Sequence, residues 1–305
     1  MAQGRFGQVP SFHRYRVVVP LMAGTLAQLL LWLRSWAGSP PAGFALGFSF
    51  YVVNTVLLAL AGTFIYRTAR VCGAVFGNAL FGAAVVLSSG IATYLTGSAL
   101  VDSLAICLVS IVFYALTAER KHLLWWSLLG LVLAKDQLAL LLPVALYYGR
   151  CIAWPQRLAA AALSVGLAML LRYQVDLLYH LPASLPNQGI VPVIASHIRS
   201  HILSTSLYLL TWKGMGDALV TFGGFTLLLL AGCTGGQASR RAWLTQMPPA
   251  SGALLVCAAL FIVLSGDVAR MLFFASPCFG VAVALIVQYH PAATTLRQKL
   301  QDAAH

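Results

Sequence analysis

Long apolar runs, separated by short and mostly basic punctuation, dominate this chain. Those at 43–66, 71–92, 98–117, 155–173, 215–232, 249–265 and 271–289 approach the roughly 20 residues that a helix needs to cross a hydrocarbon core about 30 Å thick. Two further segments are ambiguous. Residues 17–33 are long enough to cross but carry Pro20 and Gln28 and lie between Arg14, Arg16 and Arg34. Residues 123–148 hold Lys135, Asp136 and Gln137 in mid-segment. Both flanks of 123–148 are basic (ERKH before, GRCIAWPQR after), so the segment must enter and leave on one face. A helix of about twelve residues rises only about 18 Å. A broken helical hairpin is therefore expected, its polar apex in a cavity open to the outside. The competing reading is one tilted span with a charge pair near its middle.

Basic residues orient the rest. Arg67 and Arg70, Arg120 and Lys121, Arg150 and Arg157, Arg240 and Arg241 in a Gly-rich loop, and Arg297 and Lys299 in the tail all belong on the cytoplasmic side by the positive-inside rule. The connections 93–98, 174–214 and 266–270 then fall outside. In 174–214, Pro182, Pro186 and Pro192 precede a possible short helix at 193–211, a stretch placed to cap an external cavity.

Composition sharpens the class. Among 305 residues 60% are apolar, and charged residues number 26 (19 Lys or Arg plus 7 Asp or Glu), far below the usual quarter of a soluble chain. Mean hydropathy is +0.85. These values exclude a water-soluble globule, a disordered chain and a conventional nucleic-acid binder, despite a net charge of +12. The excess of cations instead suits membrane topology and anionic lipid headgroups. No h-region follows the N-terminus, so insertion is expected to be driven by internal spans. The expected fold is all-α: one polytopic transmembrane helical bundle over 1–305, with about eight to ten membrane segments and residues 291–305 as a cytoplasmic tail. No fixed-period repeat suggests a solenoid.

Candidate chemistry is sparse. The six cysteines share no CxxC spacing and read as packing residues. GxSxG, Walker and HExxH motifs do not occur. His197 and His201 are four apart, a metal-ligand spacing, but an interfacial polar helix explains them better and no metal is assigned. Trp125, Trp126, Trp154, Trp212 and Trp243 fall near segment boundaries, as interface residues do. Of the acidic residues, Asp102 and Asp136 stand in or against apolar runs, where an ionised carboxylate costs about 2.5–3.5 kcal/mol and so marks an aqueous pathway or a partner. An interhelical ion pair or a snorkelling Lys135 is the plain alternative. Asp267 and Arg270 are spaced to pair locally, yet a fixed guanidinium there also suits a phosphate. His13, Arg14 and Arg16 beside Tyr15 fit either a lipid headgroup or a topological anchor.

The order of these pieces resembles the GT-C superfamily of membrane glycosyltransferases, which take a sugar from a polyprenyl-phosphate carrier. The resemblance rests on RYRVVVPLMAGTLAQLL with the following span through Asn54 to YRTAR, on TYLTGSALVDSLAICLVSIVFYAL, on LLGLVLAKDQLALLLPVAL and on GDVARMLFFASPCFG. It covers about 12–150 and 262–290; each motif is weak, and their order is what carries weight. It implies that 17–33 is an interfacial amphipathic helix, whereas charge counting lets it cross. The family's first span and its Asp-bearing external loop have no counterpart here, and no Asp or Glu precedes Asp102. The resemblance further implies inverting transfer on the external face, with Lys135 and Arg270, helped by Arg14, Arg16 and Asp267, on the lipid phosphate, and Asp102 or Asp136 in acceptor positioning or base catalysis. Beyond the lipid-linked donor no cofactor is expected. The bacterial inner membrane is the expected location, membrane lipids are the expected partners, and nucleic acid is not. A transporter or flippase of an amphiphilic substrate and a non-catalytic membrane subunit are the alternatives; a transporter should show paired broken helices in pseudo-symmetric halves.

Overall fold

The computed structural model describes residues 16–35, 42–98, 100–178 and 190–295. The chain is an all-α polytopic bundle, 88% helical, with no strand among the described residues. Four helical stretches are long and apolar enough to cross a membrane, or six if each of two sharply bent helix pairs forms one span; four shorter apolar helices accompany them.

Helix α1 (Val18–Arg34) lays a strip of small residues, Val19, Ala23 and Ala27, against α2 (Ala42–Val71). Its outer face carries Leu21, Met22, Leu29 and Trp32, with only Thr25 and Gln28 polar between them. The segment expected to be amphipathic is thus apolar on both sides. The run 71–92 is not one straight span. It divides into α3 (Phe76–Leu87) and α4 (Gly90–Gly97), bent by 57°, because Ser89 stops one helix and accepts a hydrogen bond from the Ala92 N–H to start the next. The TYLTGS connection is therefore mostly helix. At its end the buried Asn54 side chain of α2 donates to the Ser98 carbonyl at 2.7 Å, fixing the turn that leads into α5 (Asp102–Thr117).

Helix α6 (Lys121–Ala134) ends where Lys135 turns fully extended (φ −162°, ψ 128°); a 3-10 turn (Asp136–Leu141) and α7 (Leu142–Tyr148) follow. Gly149 returns to the start of α6: a Cβ there would lie 3.0 Å from Leu124 Cδ2. Segment 121–149 is thus the broken hairpin expected from its flanking charges, each arm about 21–23 Å long, and not a single tilted span.

Helix α8 (Trp154–Leu178) packs on α6, and α9 (Ile190–Leu209) leads to α10 (Trp212–Phe222). The region expected as an external loop, 174–214, is therefore largely helical where described. At Gly223 (φ +58°) the chain passes through a 3-10 turn into α11 (Thr226–Thr234). Arg240 and Arg241, expected in a loop, sit on α12 (Gly236–Gln246), which meets α13 (Ser251–Ser265) at 82°. Helices α14 (Val268–Leu272) and α15 (Ser276–Tyr289) complete the bundle.

Helix α15 is the buried centre. Gly82 of α3 and Gly280 of α15 let the two backbones touch, since a Cβ on Gly82 would stand 2.2 Å from the Gly280 carbonyl oxygen. Small residues at such crossings are how apolar helices associate where lipid supplies no hydrophobic drive. Gln288 at the end of α15 accepts from the Val75 N–H and donates to the Gly73 carbonyl, so 73–75 and 288 share one end of the bundle. Arg67, Arg120 and Lys121 line one surface pocket and Lys121, His122 and Gln156 the neighbouring one, which places the basic connections together.

Candidate functional site

Two short pieces of local structure build the site. Gly266 closes α13 in the left-handed conformation (φ +71°), a geometry that favours glycine, and Asp267 then caps α14 by accepting from the Arg270 N–H at 3.2 Å. The same carboxylate accepts from Arg270 Nη1 at 3.0 Å, so the cap also aims the guanidinium. Asp102 opens α5, where the positive end of the helix dipole favours a carboxylate.

From three distant parts of the sequence, Asp102, Lys135 and Arg270 converge. Lys135 Nζ donates to Asp102 Oδ1 at 2.7 Å, and Arg270 Nε donates to Asp102 Oδ2 at 3.0 Å, with Nη2 donating to the same oxygen. Both carboxylate oxygens are thus taken by cations. Lys135 also lies 3.8 Å from Met271 Sδ and 4.9 Å from the centroid of the Phe274 ring, contacts that spread its charge over polarisable surface. Asp102 and Lys135 are sealed, at 0% and 2% exposure, whereas the Arg270 side chain is 22% exposed.

Of Arg270's five N–H donors, these carboxylates engage three, which leaves one on each terminal nitrogen. Two carboxylates from separate elements thus fix the group without using up its donors. Arg16, directly before α1, is within electrostatic reach of Asp102, Asp136, Arg172 and Arg270. Burial pushes its guanidinium below the ordinary value, and the two carboxylates oppose that shift.

Asp136 does not join the Asp102 carboxylate. It leaves the hairpin apex in another direction and pairs with Arg172 Nη2 of α8 at 2.5 Å, both side chains 42% exposed. Arg172, Met271 and Phe274 are the components that the sequence reading missed. For Arg172 a signal existed, since it and Arg157 are the cations of the run 155–173 and only Arg157 is accounted for by a basic connection; for the other two there was none, since Met and Phe are ordinary core residues.

Counting Arg16, Lys135, Arg172 and Arg270 against Asp102, Asp136 and Asp267 gives four cations and three anions, a net charge of +1. His13 and Arg14 lie outside the described residues, as do His180 and the side chain of His197. Among the described residues no group of three or more His, Cys, Asp or Glu side chains could hold a metal ion. Comparison of the chain with protein families, with characterised proteins and with solved structures finds no match.

Proposed function

We propose that this integral membrane protein is a glycosyltransferase of GT-C type that moves a sugar from a polyprenyl-phosphate donor to an acceptor on the external face of the membrane. The observation that carries the reading is the junction of Asp102, Lys135 and Arg270: three of the four stretches on which the resemblance rests each contribute one member. A fixed, partly exposed guanidinium inside apolar surroundings is suited to a lipid phosphate, whose oxygens accept two parallel bonds.

In this reading the roles divide by exposure. Arg270, with Arg16 nearby, holds the donor phosphate and stabilises the charge that grows as it leaves. Asp102 is a positioning residue: sealed from solvent and engaged by a cation on each oxygen, it is out of reach of an acceptor hydroxyl, and it fixes Arg270 against Lys135. Asp136 is the half-exposed carboxylate, oriented by Arg172, and takes the acceptor proton. The acceptor oxygen then bonds to the anomeric carbon as the carbon–oxygen bond to the phosphate breaks. The lipid phosphate departs with that electron pair, and the anomeric configuration inverts.

The burial of Asp102 and Lys135 also favours a second reading, a non-catalytic membrane subunit whose ion pair only locks α5, the hairpin and α14 together. Membranes containing the wild-type chain or Arg270→Ala, supplied with radiolabelled polyprenyl-phosphate hexoses, distinguish the two. Transfer by the wild type that Arg270→Ala abolishes supports the transferase; no transfer with any donor sugar, from a chain that remains folded, supports the subunit.

A further inference from the structure

An apolar cavity of about 460 Å³ opens between α10–α15, its wall running from Leu272, two residues after Arg270, to Ala282 of α15. That volume is within the roughly 300–1,000 Å³ of small-molecule sites. Its walls include Phe222, Leu255, Phe279 and Ala282, and from α12 Trp243 and Leu244. Thr226 of α11 and Ser251 of α13 also line it, but their hydroxyl oxygens are buried away from its space, so the surface an occupant meets is almost wholly hydrocarbon.

Helix α12 supplies the headgroup chemistry. Arg240 precedes Trp243 and Leu244 by three and four positions, and Arg241 precedes Leu244 by three, so these residues share one side of the helix. Both arginines are exposed. The bend of 82° between α12 and α13 sets this basic helix across the end of the spans, with Trp243 and Leu244 on the cavity wall. Basic residues at such a margin attract anionic lipid.

We infer that this cavity holds one hydrocarbon chain of an anionic phospholipid from the leaflet on the Arg240–Arg241 side, its phosphate on those arginines. None of the ionic side chains of the Arg270 cluster lines the cavity, and the inference does not rest on the transferase reading. Gly252 offers the means of testing it, since it lines the cavity and a Cβ there meets nothing within 4 Å.

Purified full-length chain, in nanodiscs containing phosphatidylglycerol or phosphatidylcholine with brominated acyl chains, would be assayed by tryptophan fluorescence. Subtracting Trp243→Phe isolates the Trp243 component. The site predicts that brominated phosphatidylglycerol quenches this component at least twice as strongly as brominated phosphatidylcholine. The double variant R240Q/R241Q should abolish that preference, and Gly252→Leu, which fills the cavity, should reduce quenching by both lipids. Equal quenching by the two lipids in the wild type overturns the inference, as does quenching by phosphatidylglycerol that survives Gly252→Leu. Preferential relief of quenching by unbrominated undecaprenyl phosphate would also overturn it, by assigning the cavity to a polyprenyl chain. If Gly252→Leu fails to fold, the arginine double variant decides alone.

Discussion

Replacing Asp102 with Asn removes the anion that two cations share while keeping its shape. Lys135, 2% exposed, would then be left in the apolar interior with Met271 Sδ and the Phe274 ring as its remaining neighbours. Breaking a buried pair in this way costs about 3–5 kcal/mol, because one charge stays behind without a counter-ion. Arg270 loses less, since Asp267 still holds Nη1 and part of the guanidinium meets solvent. The comparison is Asp136→Asn: its pair with Arg172 is 42% exposed on both sides, and such pairs contribute at most about 1 kcal/mol. Reversible unfolding by SDS in mixed micelles, followed by circular dichroism, measures both. A third variant completes the set. With Asp102→Asn and Lys135→Met combined, the stranded charge is gone and an apolar chain lies beside Met271 and Phe274, so most of the loss should be recovered. The reasoning fails if Asp102→Asn costs no more than Asp136→Asn, or if the double variant is no more stable than Asp102→Asn alone.

Three further outcomes follow from the packing. Gly82→Ala drives a methyl into the Gly280 carbonyl and should cost about 1–3 kcal/mol, whereas Gly166→Ala, in open space on α8, should be neutral or gain up to about 1 kcal/mol in the same unfolding assay. Exposed Cys233 should react readily with a maleimide at neutral pH, while Cys72, buried just beyond α2, should remain unmodified until the chain unfolds, as mass spectrometry of the intact chain would record. Burial pushes the Cys72 thiol up to about 12 from an ordinary 9.0. The unfolded chain therefore ionises that thiol first, and stability should fall as pH rises from about 9 toward 12; Cys72→Ala should flatten that part of the profile.

Much of the site was legible because charge is so scarce. A carboxylate or ammonium stranded in apolar sequence must find a partner or water, and that requirement singled out Asp102, Lys135 and Asp136, while Arg270 stood out through its spacing to Asp267 and the fit of a guanidinium to phosphate. The hairpin was legible for a related reason: basic flanks on both sides of 123–148 cannot face opposite ways without breaking the alternation of charge. What the sequence withheld was pairing. Nothing in the spacing says that Asp102 would draw both Lys135 and Arg270 while neighbouring Asp136 turned to Arg172; the extended backbone at Lys135 separates their directions. The bend at Ser89 was missed because hydropathy sees apolar content, not a hydroxyl capping the next turn, whereas the short helix expected at 193–211 is present as α9.

The central claim is that Arg270, braced by Asp102 and Asp267, grips a lipid phosphate. Titrating undecaprenyl phosphate against the purified chain by native mass spectrometry tests it directly, comparing wild type with Arg270→Gln. A charge-assisted bond contributes about 1.5–3 kcal/mol, so the variant should bind roughly ten- to a hundredfold more weakly. Equal affinity in the two proteins would contradict the account.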